Sequence, residues 1–133
     1  MSKPYIGVKN GRLSDCPKSP NCVSTQTDQE EKKMSALAFS KDLETTKSVI
    51  KEVLSEMERT AVETETENYI HAVVESKWMK FKDDVEFYFD QEEEVIHFRS
   101  ASRVGHSDFG VNKKRMKAIS EQYESMRRET YDV

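Results

Sequence analysis

The stretch Lys82-Asp83-Asp84-Val85-Glu86-Phe87-Tyr88-Phe89-Asp90-Gln91-Glu92-Glu93-Glu94-Val95-Ile96-His97-Phe98-Arg99 decides the fold. Val85, Phe87 and Phe89 alternate with Asp84, Glu86, Tyr88 and Asp90, the period-two pattern of a half-buried antiparallel strand. A tight turn at Glu92-Glu93 then pairs Phe89 with Ile96 and Phe87 with Phe98 on one face. The same register sets Tyr88 opposite His97 and Glu86 opposite Arg99 on the other face, so apolar meets apolar and opposite charges meet. A slip of one residue destroys both agreements.

Working outward, Ile70, Ala72 and Val74 mark one face of a preceding strand, and residues 60–66 read as an edge strand joined to it by a Glu67-Asn68 turn. Before these, Leu43, Thr46, Ile50, Val53, Leu54 and Met57 recur at helical spacing, predicting a helix over 42–58 capped by Ser40 or Asp42. After the hairpin, Met116, Ile119, Tyr123 and Met126 predict a second helix over 112–128. Met34 to Phe39 reads as a short strand or an extended lead-in. The element order is β-α-β-β-β-β-α: an α+β, two-layer protein whose antiparallel sheet of four or five strands carries both helices on one face and leaves the other open. Residues 1–33, punctuated by Pro4, Gly7, Gly11, Pro17 and Pro20, read as an irregular arm, and 34–133 as one domain.

The 133 residues suit a single core, with hydrophobic and charged fractions both at 35%. A net charge of −4 argues against general binding to nucleic-acid phosphates. No apolar run is long enough to span a bilayer, and Met1-Ser2-Lys3-Pro4-Tyr5 lacks a secretory apolar stretch, so a cytoplasmic location is expected. There Cys16 and Cys22 would be reduced thiols, whereas an exported protein could close the loop between them as a disulfide. Neither a metal nor a cofactor is called for, because the cysteine spacing fits no zinc knuckle and only three histidines exist.

Three places could carry chemistry. The open face gathers Tyr69, His71, Asp84, Glu86, Tyr88, His97, Arg99 and Arg103, which serve equally as a binding surface or as a solvated face with a cross-strand ion pair. Arg99 to Asn112 runs from a strand end to a helix start, where Arg99, Ser102, Arg103, Gly105, Asp108 and Asn112 suit a phosphate, sulfate or carboxylate. The bland alternative has Asp108 or Asn112 capping the helix and the arginines pairing with Asp83, Asp84 or Glu86. The third place is Cys16-Pro17-Lys18-Ser19-Pro20-Asn21-Cys22, with structural thiols favoured over a nucleophile.

Two stretches together, Cys16-Pro17-x-Ser19-Pro20-Asn21-Cys22-Val23-Ser24 and Asp83 to Phe87 followed by Ile96 to Asn112 and Arg115, resemble the bacterial and plant family known as domain of unknown function 1499. The resemblance spans about Gly11 to Tyr123. It implies no activity, and the family's soluble, exported and membrane-attached members leave localisation open. It points to Asn21, Cys22, Asp84, Glu86, Arg99, Ser100, Ser102, Arg103, Gly105, Asp108, Asn112 and Arg115. His106 departs from the family's more usual aromatic residue, which weakens any mechanism with His106 as base. By joining distant stretches, the resemblance also implies that the arm folds back to bring Asn21 and Cys22 to the sheet or to the loop around Ser102 to Asp108. The expected function is a non-catalytic binding module for a small anionic ligand or an acidic partner group, built on Arg99 and Arg103 with Asp84 and Glu86. The alternative is a hydrolase or transferase using Cys22, or Asp84 and Glu86, with the arginines as oxyanion stabilisers.

Overall fold

The computed structural model describes residues 5–78, 81–104 and 110–131. In chain order the elements are β1 (Val8–Lys9), β2 (Arg12–Leu13), β3 (Cys22–Ser24), β4 (Leu37–Ala38), α1 (Leu43–Ser55), β5 (Thr60–Thr66), β6 (Tyr69–Glu75), β7 (Lys82–Asp90), β8 (Val95–Ser102) and α2 (Val111–Tyr131), with a short 3₁₀ turn at Glu30–Lys32.

The β7–β8 hairpin has the register its side chains dictate: Phe89 faces Ile96, Phe87 faces Phe98, Tyr88 faces His97 and Glu86 faces Arg99. Its turn is locked by the Asp90 carboxylate, which accepts the backbone N–H groups of Glu92 and Glu93, each at 3.1 Å. β6 pairs with β7 and β5 with β6, completing the antiparallel meander. α1 starts at an Asp42 cap, whose carboxylate accepts the Thr45 N–H at 2.8 Å. Phe87, Phe89, Ile96, Phe98 and Ile70 are fully buried against Ile50, Val53 and Leu54 of α1 and Met116, Ile119 and Tyr123 of α2, in one core.

Three expectations are corrected. The main sheet has six strands rather than four or five, in the order β3-β8-β7-β6-β5, with β4 also on β8. β3 and β4 share the outer edge of β8, β3 beside residues 99–101 and β4 beside 95–96, so the edge that the meander would leave bare is paired. The stretch before residue 34 is not irregular, since it contains β3 and a separate β1–β2 hairpin. That hairpin turns at Asn10-Gly11, with φ of 54° and 73°, the left-handed pair a two-residue turn demands. Finally, the second sheet face is not open: Asp84, Glu86 and Arg99 are at most 3% exposed, because the chain around the β1–β2 hairpin lies over them. The physical reason is that Asp84 is hydrogen-bonded by His71 and Arg103, one Glu86 oxygen by Tyr69 and the Gly7 N–H, and Arg99 is charge-paired with Glu86, so the face can leave water.

Candidate functional site

Strand alternation divides the residues singled out in the sequence between two sides of the sheet. On the arm side, Tyr69 and His71 from β6, Asp84 and Glu86 from β7, and Arg99 from β8 stand in cross-strand register, with Arg103 just beyond β8. One carboxylate oxygen of Glu86 accepts the Tyr69 hydroxyl at 2.6 Å and the Gly7 N–H at 2.7 Å. Its other oxygen lies 3.5 Å from Arg99 Nη1, and neither it nor Arg99 Nε and Nη1 has a hydrogen-bond partner among the described residues. The Tyr5 ring stacks on the Arg99 guanidinium at 5.8 Å, and the Asp15 carbonyl takes a 3.5 Å bond from Arg99 Nη2. Asp84 is held by a two-pronged Arg103 contact, both bonds 3.0 Å, and by His71 Nε2 at 2.8 Å.

These environments push the two carboxyls apart. Burial raises Glu86 above its ordinary range despite the opposing Gly7, Tyr69 and Arg99 contacts. Burial acts in the same sense on Asp84, but hydrogen bonds from His71 and Arg103 outweigh it and hold that carboxyl well below the usual range. Burial, followed by the bond to Glu86, also raises the Tyr69 phenol.

On the helix side lies a different network. Ser100 donates to Asn112 Oδ1 at 2.6 Å, and Arg115 reaches the same oxygen at 2.8 Å and the Asp83 carboxylate at 2.7 Å. Asn112 Nδ2 donates to Ser102 Oγ at 3.0 Å and to the Asn21 carbonyl at 3.2 Å. Asn21 in turn donates from Nδ2 to the carbonyls of Ser102 and Val104. Ser102 and Asn112 are therefore separated by the sheet from Arg99 and Arg103. Gly105 and Asp108, with His106, lie outside the described residues.

Cys16 and Cys22 form a disulfide, with their Cα atoms 5.7 Å apart. This corrects the expectation of free thiols, and it leaves Cys22 no thiolate with which to act as a nucleophile. The bridge is buried, Cys22 being 1% exposed, because β3 seats that residue opposite Ala101. Beside it the structure assembles a cavity of about 230 Å³ that sequence reading did not find. Lys18 from the disulfide loop, Lys32 from the 3₁₀ turn and Lys113 from the first turn of α2 line it, with Glu31 the acidic residue there. Lys32 is buried and donates from Nζ to the Pro17 carbonyl. Lys18 stood inside the quoted cysteine motif, but Lys32 and Lys113 carry no periodicity or spacing that links them, so only folding shows their convergence.

Among the described residues no group of three or more histidine, cysteine or carboxylate side chains could hold a metal ion, and no helix is long and apolar enough to cross a membrane. A family model described as a protein of unknown function, DUF1499, matches residues 12–122. No curated protein and no solved structure matches the chain.

Proposed function

We propose for this chain, which belongs to the DUF1499 family of proteins of unknown function, a role as a non-catalytic binding module that takes a small anion or acidic group in the lysine-lined cavity beside the disulfide. The observation that carries this reading is the composition of the cavity wall: three lysines, one of them bonded to the Pro17 carbonyl, against one glutamate, in a chain whose net charge is −4. The size fits a phosphate or a carboxylate-bearing group better than a large metabolite, since ligand pockets for drug-sized molecules start near roughly 300 Å³. Asn21 and Cys22 belong to this reading because they fix the loop that presents Lys18.

Arg99 and Arg103 suit an anion less well. With Asp84 and Glu86 they make a cluster of two cations and two carboxylates, and Arg103 already spends its planar edge on Asp84. Asp84 and Glu86 themselves support the second reading, a hydrolase or transferase, in one respect: neighbouring carboxyls held at different protonation tendencies are the usual basis of acid and base roles. The arm lying over Glu86 and Arg99 weighs against it, for a substrate would have to displace it. The disulfide also favours an oxidising compartment over the cytoplasm.

The test is thermal unfolding in phosphate, acetate and succinate at matched ionic strength, with sodium chloride as the control. A ligand at 100-fold over its Kd stabilises by about 2.7 kcal/mol. That rise is expected in wild type and lost in a Lys18→Gln/Lys113→Gln variant that melts normally in chloride. Equal responses of both proteins to every anion sink the proposal.

A further inference from the structure

Lys113 lines a second and larger depression as well, a groove of about 860 Å³ between α2 and the extended segment that joins the 3₁₀ turn to β4. The α2 wall of that groove is one helical stripe, Lys113, Lys117, Glu121 and Glu124, at steps of four, four and three. Its charge changes sign along the helix, positive next to the lysine-lined cavity and negative at the far end. The opposite wall adds one charge of each sign, Lys33 and Glu30, so the change of sign is carried by α2. Lys113, Lys117 and Glu121 have no ion-pair partner among the described residues, whereas Glu124 is shared with Arg127 at 2.8 Å. The other wall supplies extended backbone: Met34 N–H is bonded to Ser24, but Ser35 and Ala36 make no hydrogen bond with any described residue.

We infer that this groove docks an extended peptide segment of a partner protein, with an acidic side chain in the lysine-lined cavity and a basic side chain four or five residues away against Glu121 and Glu124. The inference rests on the cavity being an acid-binding site, as proposed above. The spacing follows from geometry. Lys113 and Glu121 are eight residues apart, a rise of about 12 Å along a helix, and Lys113 and Glu124 are eleven apart, about 16 Å. An extended strand advances about 3.3 Å per residue, so four or five residues cover the same span. Backbone groups of the guest can pair with the free ones at Ser35, which extended backbone turns to the edge opposite the Met34–Ser24 bond, as in strand addition, while the two charged ends set register and direction.

Fluorescence anisotropy with end-blocked peptides tests this, using Ser/Thr spacers between one Asp and one Lys at separations of one, four, five and eight residues. Separations of four and five are expected to bind at least five-fold more tightly than one or eight. A Glu121→Lys/Glu124→Lys variant should lose that preference, and a peptide with Asp in place of its Lys should recover it. If all separations bind alike while phosphate or acetate still stabilises wild type through Lys18 and Lys113, the peptide inference is overturned and the acid site stands. If neither the peptides nor the anions respond to the lysine substitutions, both are overturned.

Discussion

Replacing Cys16 and Cys22 together by alanine removes a crosslink whose worth follows from the structure. The two residues are six apart in sequence, so the bridge closes a loop of about seven residues. The chain-entropy relation gives about 2.3 kcal/mol for such a loop, less than for long loops because a short one has little freedom to lose. At about 2.1 cal/mol/K of unfolding entropy per residue, a chain of this length should melt about 8 °C lower. The loss should also be uneven. Cys22 is held by the β3–β8 ladder with or without its partner, whereas Cys16 ends the arm that carries Gly7 and Asp15 over the buried charges. Amide exchange at Gly7 should therefore quicken more than exchange in β7. Calorimetry and hydrogen exchange, on oxidised wild type, reduced wild type and the alanine pair, provide the assay. A melting temperature within about 2 °C of oxidised wild type for the alanine pair, with Gly7 still protected, would refute the reasoning.

Breaking the buried Glu86–Arg99 pair from one side, by Glu86→Gln or Arg99→Met, should cost about 3–5 kcal/mol in urea unfolding, while the double variant should cost clearly less because no lone charge is left buried. Asp84, depressed in the fold, contributes stability that is complete above its unfolded value near about 3.9 and is lost as pH falls through its folded value. Glu86, raised in the fold, has the opposite sign: it lowers stability as pH rises from its unfolded value near about 4.3 through its folded value. Urea midpoints from pH 2 to 8 should accordingly lose their acid-side slope in Asp84→Asn. Tyr123, its phenol pushed up to about 12 by burial, donates to the Ala38 carbonyl at 2.6 Å and so ties α2 to β4. Tyr123→Phe should cost about 1–3 kcal/mol in the same assay, the penalty of an orphaned buried acceptor.

The central hairpin and both helices were legible because their signals are local and redundant: two sheet faces agree on one register, and at least four apolar residues agree on each helix face. β3 was not, since Cys-Val-Ser is too short to show a period and owes its place to Ala101, Ser100 and Arg99 far along the chain. The Asn10-Gly11 turn was a readable signal that two-residue strands on either side obscured. The open-face expectation failed for a specific reason. Charged residues alternating with apolar ones normally mean solvent, but here each carboxylate has a cationic neighbour and the arm covers the pairs, so the charges are offset without full exposure to water. Periodicity encodes the Glu86–Arg99 register, but not the arm that closes over it. Ser102 and Asn112 were grouped with Arg99 and Arg103 because they are near in sequence, although strand parity already placed Ser102 on the opposite side.

That parity bears on where function can reside. On the arm side Glu86 and Arg99 bind the arm, and on the helix side the residues of the family resemblance bind α2 to Asn21, so both networks fasten the disulfide segment to β8 from its two faces. Arg115 completes the helix-side set by joining Ser100, Asn112 and Asp83, three elements in one contact. Most groups fastened in this way are poorly placed to reach a ligand, since their donors are committed within the fold, Arg99 Nε and Nη1 being the exceptions. What the fastening does fix is the Cys16–Cys22 loop, and with it the position of Lys18 relative to Lys32 and Lys113. Cation placement of this kind loses little entropy when an anion arrives, because the backbone is held beforehand and only the lysine ends must settle. Disturbing the networks should then weaken anion binding without touching any lysine. Asn112→Ala, which frees Asn21 and Ser102 on the side of the sheet away from the arm, is the variant in which that coupling should be sought.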